Sequence, residues 1–255
     1  MTRNCLAHRA AQIFVFAFLF AQACLAQQKI SDIEKLLFES VNRERAAMKL
    51  PLVKWDEGLA RAARKHAERM AEQDLLEHQV PGEVDLPTRA RGEGASFSHI
   101  TENIGMGASG DKLHDGWMHS PGHRANILDH AVDSIGIAAV EGEAELYAVE
   151  DFAHAVAVLS IEEQEKRVGE TLVARGLKLI NIGSDARMSC ELDRGYVGNS
   201  KAMYIAHYET PNISQLPGSL EKEIQSRRYK SAAVGACPQK GASRFTRFRI
   251  VVLFY

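Results

Sequence analysis

The amino-acid sequence predicts an α+β fold behind a leader segment, and three observations carry that reading. Apolar residues recur at helical spacing in two stretches between residues 32 and 70. Two short apolar runs, residues 134–140 and 146–153, flank Glu141-Gly142-Glu143 in the manner of a β-hairpin. A further helix, a strand, a helix and two strands are expected between Ile161 and Phe254. With 255 residues there is room for one large domain or two small ones. A hydrophobic content of 45% and a charged content of 25% are ordinary for a soluble globular chain.

The leader comes first. Arg3 and Arg9 precede an uncharged run from Ala10 to Ala26, with an apolar centre from Ile13 to Phe20. That centre is too short to span a bilayer comfortably. It reads as a secretory signal peptide over residues 1–26, cut after Ala26, with Ala23 as the second choice of site. An uncleaved anchor is the alternative. A lipid on Cys24 is disfavoured, because Ala21-Gln22-Ala23 precedes it in place of the usual leucine pattern. The mature chain is then secreted or extracytoplasmic, periplasmic or extracellular, with no integral membrane span. Loss of the leader removes Cys5 and Cys24 and leaves Cys190 and Cys237. An even count in an exported chain favours a Cys190–Cys237 disulfide closing a long loop, against two separately buried thiols.

Each element then has its own signal. Ser31-Asp-Ile-Glu34 is a capping-box pattern, and Ile33, Leu37, Val41 and Met48 follow it, so a first helix is expected from about Asp32 to Met48, closed by Pro51. Asp56 caps a second helix with Leu59, Ala63, His66, Ala67 and Met70 on one face, which makes His66 a packed core histidine rather than a reactive one. Residues 80–110 are rich in Gly, Pro and short polar side chains, show no period, and read as a long loop broken only around Glu102. Asp111 is expected to cap a short helix holding Leu113 and Trp117. Ser120-Pro121 restarts a helix, with Ser at the N-cap and Pro at the first position. Beyond the hairpin, helices are expected over 161–175 and 220–228, with strands over 177–182, 232–236 and 245–254. The pair Ile135…Phe152 is weakly echoed by Ala233…Phe254, which leaves room for a second α+β unit over 160–255.

Charge divides the mature chain. Residues 27–159 hold 14 basic and 23 acidic side chains, and residues 160–255 hold 15 and 10. Arg227, Arg228, Lys230, Lys240, Arg244, Arg247 and Arg249 offer a surface to anionic partners, although halves of opposite sign also neutralise each other. Export and a pI near 6.6 argue against nucleic acid.

The most specific segments are Glu102-Asn103-Ile104-Gly105 and Trp117-Met-His-Ser-Pro-Gly-His-Arg-Ala-Asn-Ile-Leu128. Together they resemble the CAP superfamily, the SCP-like domains of cysteine-rich secretory and pathogenesis-related proteins, in its bacterial SPGHR branch. The resemblance covers about residues 66–152. It implies an α-β-α sandwich with a central antiparallel sheet over residues 27–159, followed by a smaller C-terminal α+β extension over 160–255. It also implies a cleft with two histidines and acidic residues, carried here by His78, Glu102 and His123. The eukaryotic pattern has a Glu where this chain has Ser120, so the fourth member is missing or supplied elsewhere; Glu150 is a weak candidate because it matches a different family position.

Two imidazoles and a carboxylate allow three chemistries. They hold a divalent metal, with zinc through His78 and His123 the expected ion. They transfer protons near neutral pH. Or they fasten the loop to the helix as a buried network. No HExxH-type motif chooses between these. His119 falls outside the helix of His123 and faces solvent. A Ser120–His123 hydrolase reading is weakened by the N-cap role of Ser120 and the lack of a Gly-x-Ser-x-Gly elbow. Arg124 either pairs with a carboxylate such as Glu102 or stands solvated. Asn103 pins the loop, and Trp117 packs in the core. The favoured function is a non-enzymatic secreted module binding a lipid, a small apolar ligand or an extracellular protein. The alternatives are an extracytoplasmic metal-assisted hydrolase or peptidase, and a structural protein whose cluster only stabilises the fold.

Overall fold

Helix α1 (Asp32–Ala47) starts where the capping box predicts: Glu34 N donates to Ser31 Oγ at 3.2 Å and Ser31 N donates to Glu34 Oε2 at 2.8 Å. The computed structural model describes residues 31–181, 184–192, 194–199, 201–241 and 243–255. The expected signal segment, residues 1–26, lies outside them. After a two-residue strand β1 (Lys54–Trp55), Asp56 caps α2 (Glu57–Gln73) through Leu59 N at 2.9 Å.

The expected loop over 80–110 is not a loop. It contains a helix α3 (Leu86–Gly92) and the 11-residue strand β2 (Phe97–Gly107). Asp85 accepts from Thr88 N at 3.0 Å and Pro87 occupies the first turn, a start signal on so short a helix that no apolar period develops. Strand β2 escapes a pattern search because helices cover both its faces, so burial does not alternate, and because it carries two glycines. Gly105 is required: a Cβ there would lie 2.9 Å from Trp117 Nε1 and 3.0 Å from Leu113 Cδ2.

Helix α4 (Gly110–His119) is capped by Ser109 rather than by Asp111, through Lys112 N at 3.4 Å. Helix α5 (Pro121–Ile127) follows at once. Ser120 does occupy its N-cap, in extended conformation, but its hydroxyl makes no capping bond; Pro121, with φ already set and no N–H to satisfy, starts the helix. The hairpin is β3 (Ser134–Glu141) and β4 (Leu146–Ala155).

These strands form one sheet in the order β1-β3-β4-β2, with β1 parallel to β3 and the rest antiparallel. Side chains alternate across it. Ile135, Ile137, Ala148 and Phe152 pack with Leu37, Val41, Leu113, Trp117 and Ile127 under α1, α4 and α5. Ala138, Val149 and Ile104 pack with Ala63, Ala67 and Met70 of α2 on the other face. This is an α-β-α sandwich. Arg45, fully buried, ties α1 to the chain after α5 by donating to the carbonyls of Ile127, Asp129 and Val132 as well as Pro51, at 2.8–3.1 Å.

The chain continues with α6 (Ile161–Ala174), β5 (Lys178–Leu179), α7 (Ser184–Glu191), β6 (Tyr204–Thr210), α8 (Gly218–Gln225), β7 (Ser231–Cys237) and β8 (Phe248–Phe254). The second sheet has the order β5-β7-β8-β6, again with its short first strand parallel and the rest antiparallel. A disulfide joins Cys190 on α7 to Cys237 on β7. Residues 31–255 form one compact unit. No helix among the described residues is long and apolar enough to cross a membrane.

Candidate functional site

The site forms around the free edge of β2. As the outer strand of its sheet, β2 leaves backbone groups open, and side chains of α4 and α5 close over the carbonyls of Glu102 and Ile104. On the α2 side lies Glu102, only 6% exposed. Its Oε1 is 2.7 Å from His78 Nδ1, and its Oε2 takes the Arg89 guanidinium. Arg89, on α3, also donates to the His78 carbonyl at 3.1 Å, so one buried cation fixes both members of the pair. His66 Nε2 lies 3.8 Å from Glu102 Oε2 and its Nδ1 2.7 Å from Glu83 Oε2. Among the described residues neither nitrogen of His66 has an aligned hydrogen-bond partner.

On the α5 side, Asn103 Nδ2 donates to the His123 carbonyl at 3.2 Å and to Glu150 Oε2 at 3.1 Å. Asn126 Nδ2 donates to Asn103 Oδ1 at 2.9 Å and to the edge carbonyl of Glu102 at 3.1 Å. The ENI segment and the SPGHRANIL segment are therefore stitched together by two side-chain amides. Trp117 Nε1 adds a third tie, to the Ile104 carbonyl at 2.9 Å, and the ring is 2% exposed.

Behind the edge, the strand register pairs Glu102 with Asp151 and Asn103 with Glu150. Both acids of β4 are fully buried. Burial pushes the Glu150 carboxyl up to about 8, against a smaller opposite pull from Asn103. Burial likewise pushes Asp151 up to about 7, with Arg89 pulling it down and Glu83 pushing it further up. Among the described residues Asp151 has no hydrogen-bond partner on either oxygen, and Glu150 none on Oε1. One guanidinium faces the three carboxyls of Glu83, Glu102 and Asp151, and cannot neutralise them all; a carboxyl that keeps its proton resolves the excess.

The imidazoles are neutral at pH 7. Burial, then Arg89 and His78, drives His66 down to about 3. His78 is lowered by burial and Arg89, and His123 by burial and the nearby His78. They differ in access: the His78 side chain is 61% exposed, that of His66 not at all.

Of the residues expected in the cleft, His78 and Glu102 are in direct contact, and His123 lies within electrostatic reach of His78. Arg124 is not at Glu102. It lies exposed on α5, and the guanidinium there is that of Arg89. His119 ends α4, exposed, with Nδ1 2.8 Å from the Asp115 carbonyl, and shares no helix with His123. Ser120 brings no carboxylate; Glu150 and Asp151 bring two from behind. His66 is buried as expected, yet among charges rather than in a plain apolar core. Reasoning from sequence missed Glu83, Arg89, Asn126 and Asp151. An adjacent acid pair in the middle of the apolar run Leu146–Ala153 was the available signal for Asp151.

Among the described residues no group of three or more His, Cys, Asp or Glu side chains is placed to hold a metal ion. Both Glu102 oxygens are already taken by His78 and Arg89. As placed, His78, Glu102 and His123 do not fit a zinc centre.

Residues 38–157 match the model of the CAP family, the cysteine-rich secretory protein family. Curated relatives include the uncharacterized protein YkwD of Bacillus subtilis (strain 168), 32% identical over 117 residues, which are 46% of this chain and 46% of YkwD. An uncharacterized protein of Borreliella burgdorferi is 24% identical over 128 residues, 49% of this chain and 82% of the relative. This chain thus spans under half the length of YkwD. Among solved structures, an outer surface protein from Borrelia burgdorferi matches with a TM-score of 0.47 at 20% identity, covering 50% of this chain and 96% of that one. An extracellular SCP-domain protein from Bacillus anthracis matches with a TM-score of 0.43 at 26% identity, covering 47% and 39%.

Proposed function

We propose that the mature chain is an exported, non-enzymatic CAP binding module, with the domain over residues 27–159, whose cleft accepts a hydrogen-bond donor of an apolar ligand or a protein partner. The exposed His78, held at Nδ1 by Glu102, carries this reading. With Nδ1–H donating to the carboxylate, Nε2 is left as an acceptor, a tautomer assigned from the hydrogen bond. A neutral acceptor beside the partly buried His123 suits a hydroxyl or an amide N–H better than an anion. The disulfide fits an oxidising compartment.

The test is mass spectrometry of small molecules retained by mature protein purified from its native source, beside the His78→Ala/His123→Ala variant. A stoichiometric apolar compound bearing a hydroxyl or amide, held by the unaltered protein and lost from the variant, is expected. Equal retention by both would remove the cleft from function.

One observation favours a second reading. A carboxylate-oriented imidazole is also the arrangement of a general base. An extracytoplasmic hydrolase would show turnover that Glu102→Gln abolishes while leaving ligand retention intact.

A further inference from the structure

The second sheet repeats the first in more than strand order. Each unit opens with a helix capped by a serine, Ser31 and Ser160. Each short first strand pairs through a lysine with a serine, Lys54 with Ser134 and Lys178 with Ser231. The pairing covers two residues, so among the described residues no strand pairs with the rest of β3 and of β7 on that edge. In both units a glutamate of the first helix closes it five residues beyond that serine: Glu34 accepts from Ala139 N at 3.2 Å, Glu165 from Ala236 N at 3.1 Å. Each glutamate also holds an arginine of the second helix, Arg64 and Arg187. Both β3 and β7 turn a glycine toward that helix: a Cβ on Gly136 would overlap the backbone of Leu59 and Ala60, and one on Gly235 that of Ala186.

With these ties as anchors, the register carries the first cleft onto the second sheet. The pair Ala139–Ala148 corresponds to Ala236–Ile250. The seam Glu102–Asp151 and Asn103–Glu150 then corresponds to Ile205–Leu253 and Ala206–Val252. Asp151 and Glu150 are fully buried, and so are Leu253 and Val252. His66, whose ring nitrogens lie near Glu83 and Glu102, corresponds to Ser189, whose hydroxyl donates to the Asp185 carbonyl at 2.7 Å and accepts from Val197 N at 2.9 Å. Ala67 and Val140, which share one core cluster, correspond to the bonded Cys190 and Cys237.

The second unit also reaches the wall of the first cleft. In the segment joining β7 to β8, Arg244 pairs with Asp85, the N-cap of α3, at 2.7 Å. Phe245 packs edge-on against Phe97, at 6.1 Å between ring centroids, and joins the cluster containing Ala90 of α3. Thr246 N donates to the Phe97 carbonyl at 2.8 Å. Helix α3 carries Arg89, which aligns Glu102 and His78.

We propose that residues 160–255 are a second copy of the CAP-type unit, with apolar side chains in place of the acidic seam, retained as a brace that positions α3 and the start of β2 behind the first cleft. Arg244, Phe245 and Thr246 are positioning residues, acting through Arg89. The proposal does not depend on what the cleft binds.

The experiment is 15N NMR of the imidazole nitrogens in the full mature chain carrying Arg244→Ala and Phe245→Ala. In the unaltered protein, His78 shows the Nδ1–H tautomer imposed by Glu102. In the variant that tautomer should give way to the mixture of a free imidazole, while the His66 signals stay those of a buried neutral ring. Arg228→Ala, on the exposed side of the second unit, should leave His78 unchanged. Should the double variant fail to fold, Arg244→Ala alone, whose side chain is 60% exposed, is read in the same way. A His78 tautomer unchanged in a folded variant would overturn the proposal.

Discussion

The two sheets of this chain share a strand order and differ in what they bury at matched positions. The first buries Glu102, Asn103, Glu150 and Asp151 along the seam between β2 and β4; the second buries Val252 and Leu253 there, beside Ile205 and Ala206. Both sheets are covered by helices and closed by a glutamate–arginine tie, so the architecture itself does not require acids at those positions. Burying a carboxyl without a full set of partners is costly, whether it ionises or keeps its proton. On the function proposed above, the site at His78 and Glu102 is the reason one sheet bears this cost and the other does not. Glu102 is the acid that reaches the exposed His78, and Asp151 and Glu150 stand directly behind.

The sharpest way to break the comparison is to move the charge. Leu253→Asp places an unpartnered carboxyl at the position matched to Asp151, without Arg89 nearby. Denaturant unfolding should show a loss of roughly 3–5 kcal/mol, as for an uncompensated buried charge. A loss under about 1 kcal/mol would mean that the second sheet tolerates acids as well as the first, and the contrast would lose its force.

A smaller effect tests whether the ties are equivalent. Glu34→Gln and Glu165→Gln each weaken one arginine contact and one strand-edge hydrogen bond. Each should cost about 1–3 kcal/mol, within the range of hydrogen bonds to charged groups. Glu34, 2% exposed on its side chain, should stand at the upper end, and Glu165, 19% exposed, at the lower. If only Glu34→Gln has an effect, the match between the two units is one of topology alone.

Much of the first unit was legible in the sequence, for identifiable reasons. Capping residues at Ser31 and Asp56 and the apolar runs of β3 and β4 are local signals, and the elements begin where those signals stand. Strand β2 was not legible, because it is buried on both faces and has glycines where Trp117 and Leu113 press on it. Helix α3 was too short for periodicity, which also hid Arg89. His78, Glu102 and His123 stood out through motif resemblance, and their surroundings did not. His66, Glu83 and Asp151 reach the site through tertiary packing, and no spacing rule connects residues 66, 83 and 151. Strand β6 carried no recognised signal, so the repeat surfaced in the sequence only as a weak echo between hairpins.

The central claim is that the acid seam is held at a cost to stability. Its most direct test is the unfolding free energy of Asp151→Leu against the unaltered protein from pH 5 to pH 8. Asp151 and Glu150 are raised in the folded state, to about 7 and about 8. Through them the folded chain binds more protons than the unfolded one above the ordinary carboxyl range. Their stabilising contribution is complete below that range and is lost as pH rises through 7 and 8. His66, lowered to about 3, has the opposite sign: its contribution is lost as pH falls from about 6.5 toward 3. The unaltered protein should therefore lose stability between pH 6 and pH 8. Asp151→Leu, borrowing the residue matched to it in the second sheet, should flatten that decline and be more stable at pH 8 by roughly 2 kcal/mol. A variant less stable than the unaltered protein at pH 8, with an undiminished slope, would contradict the account.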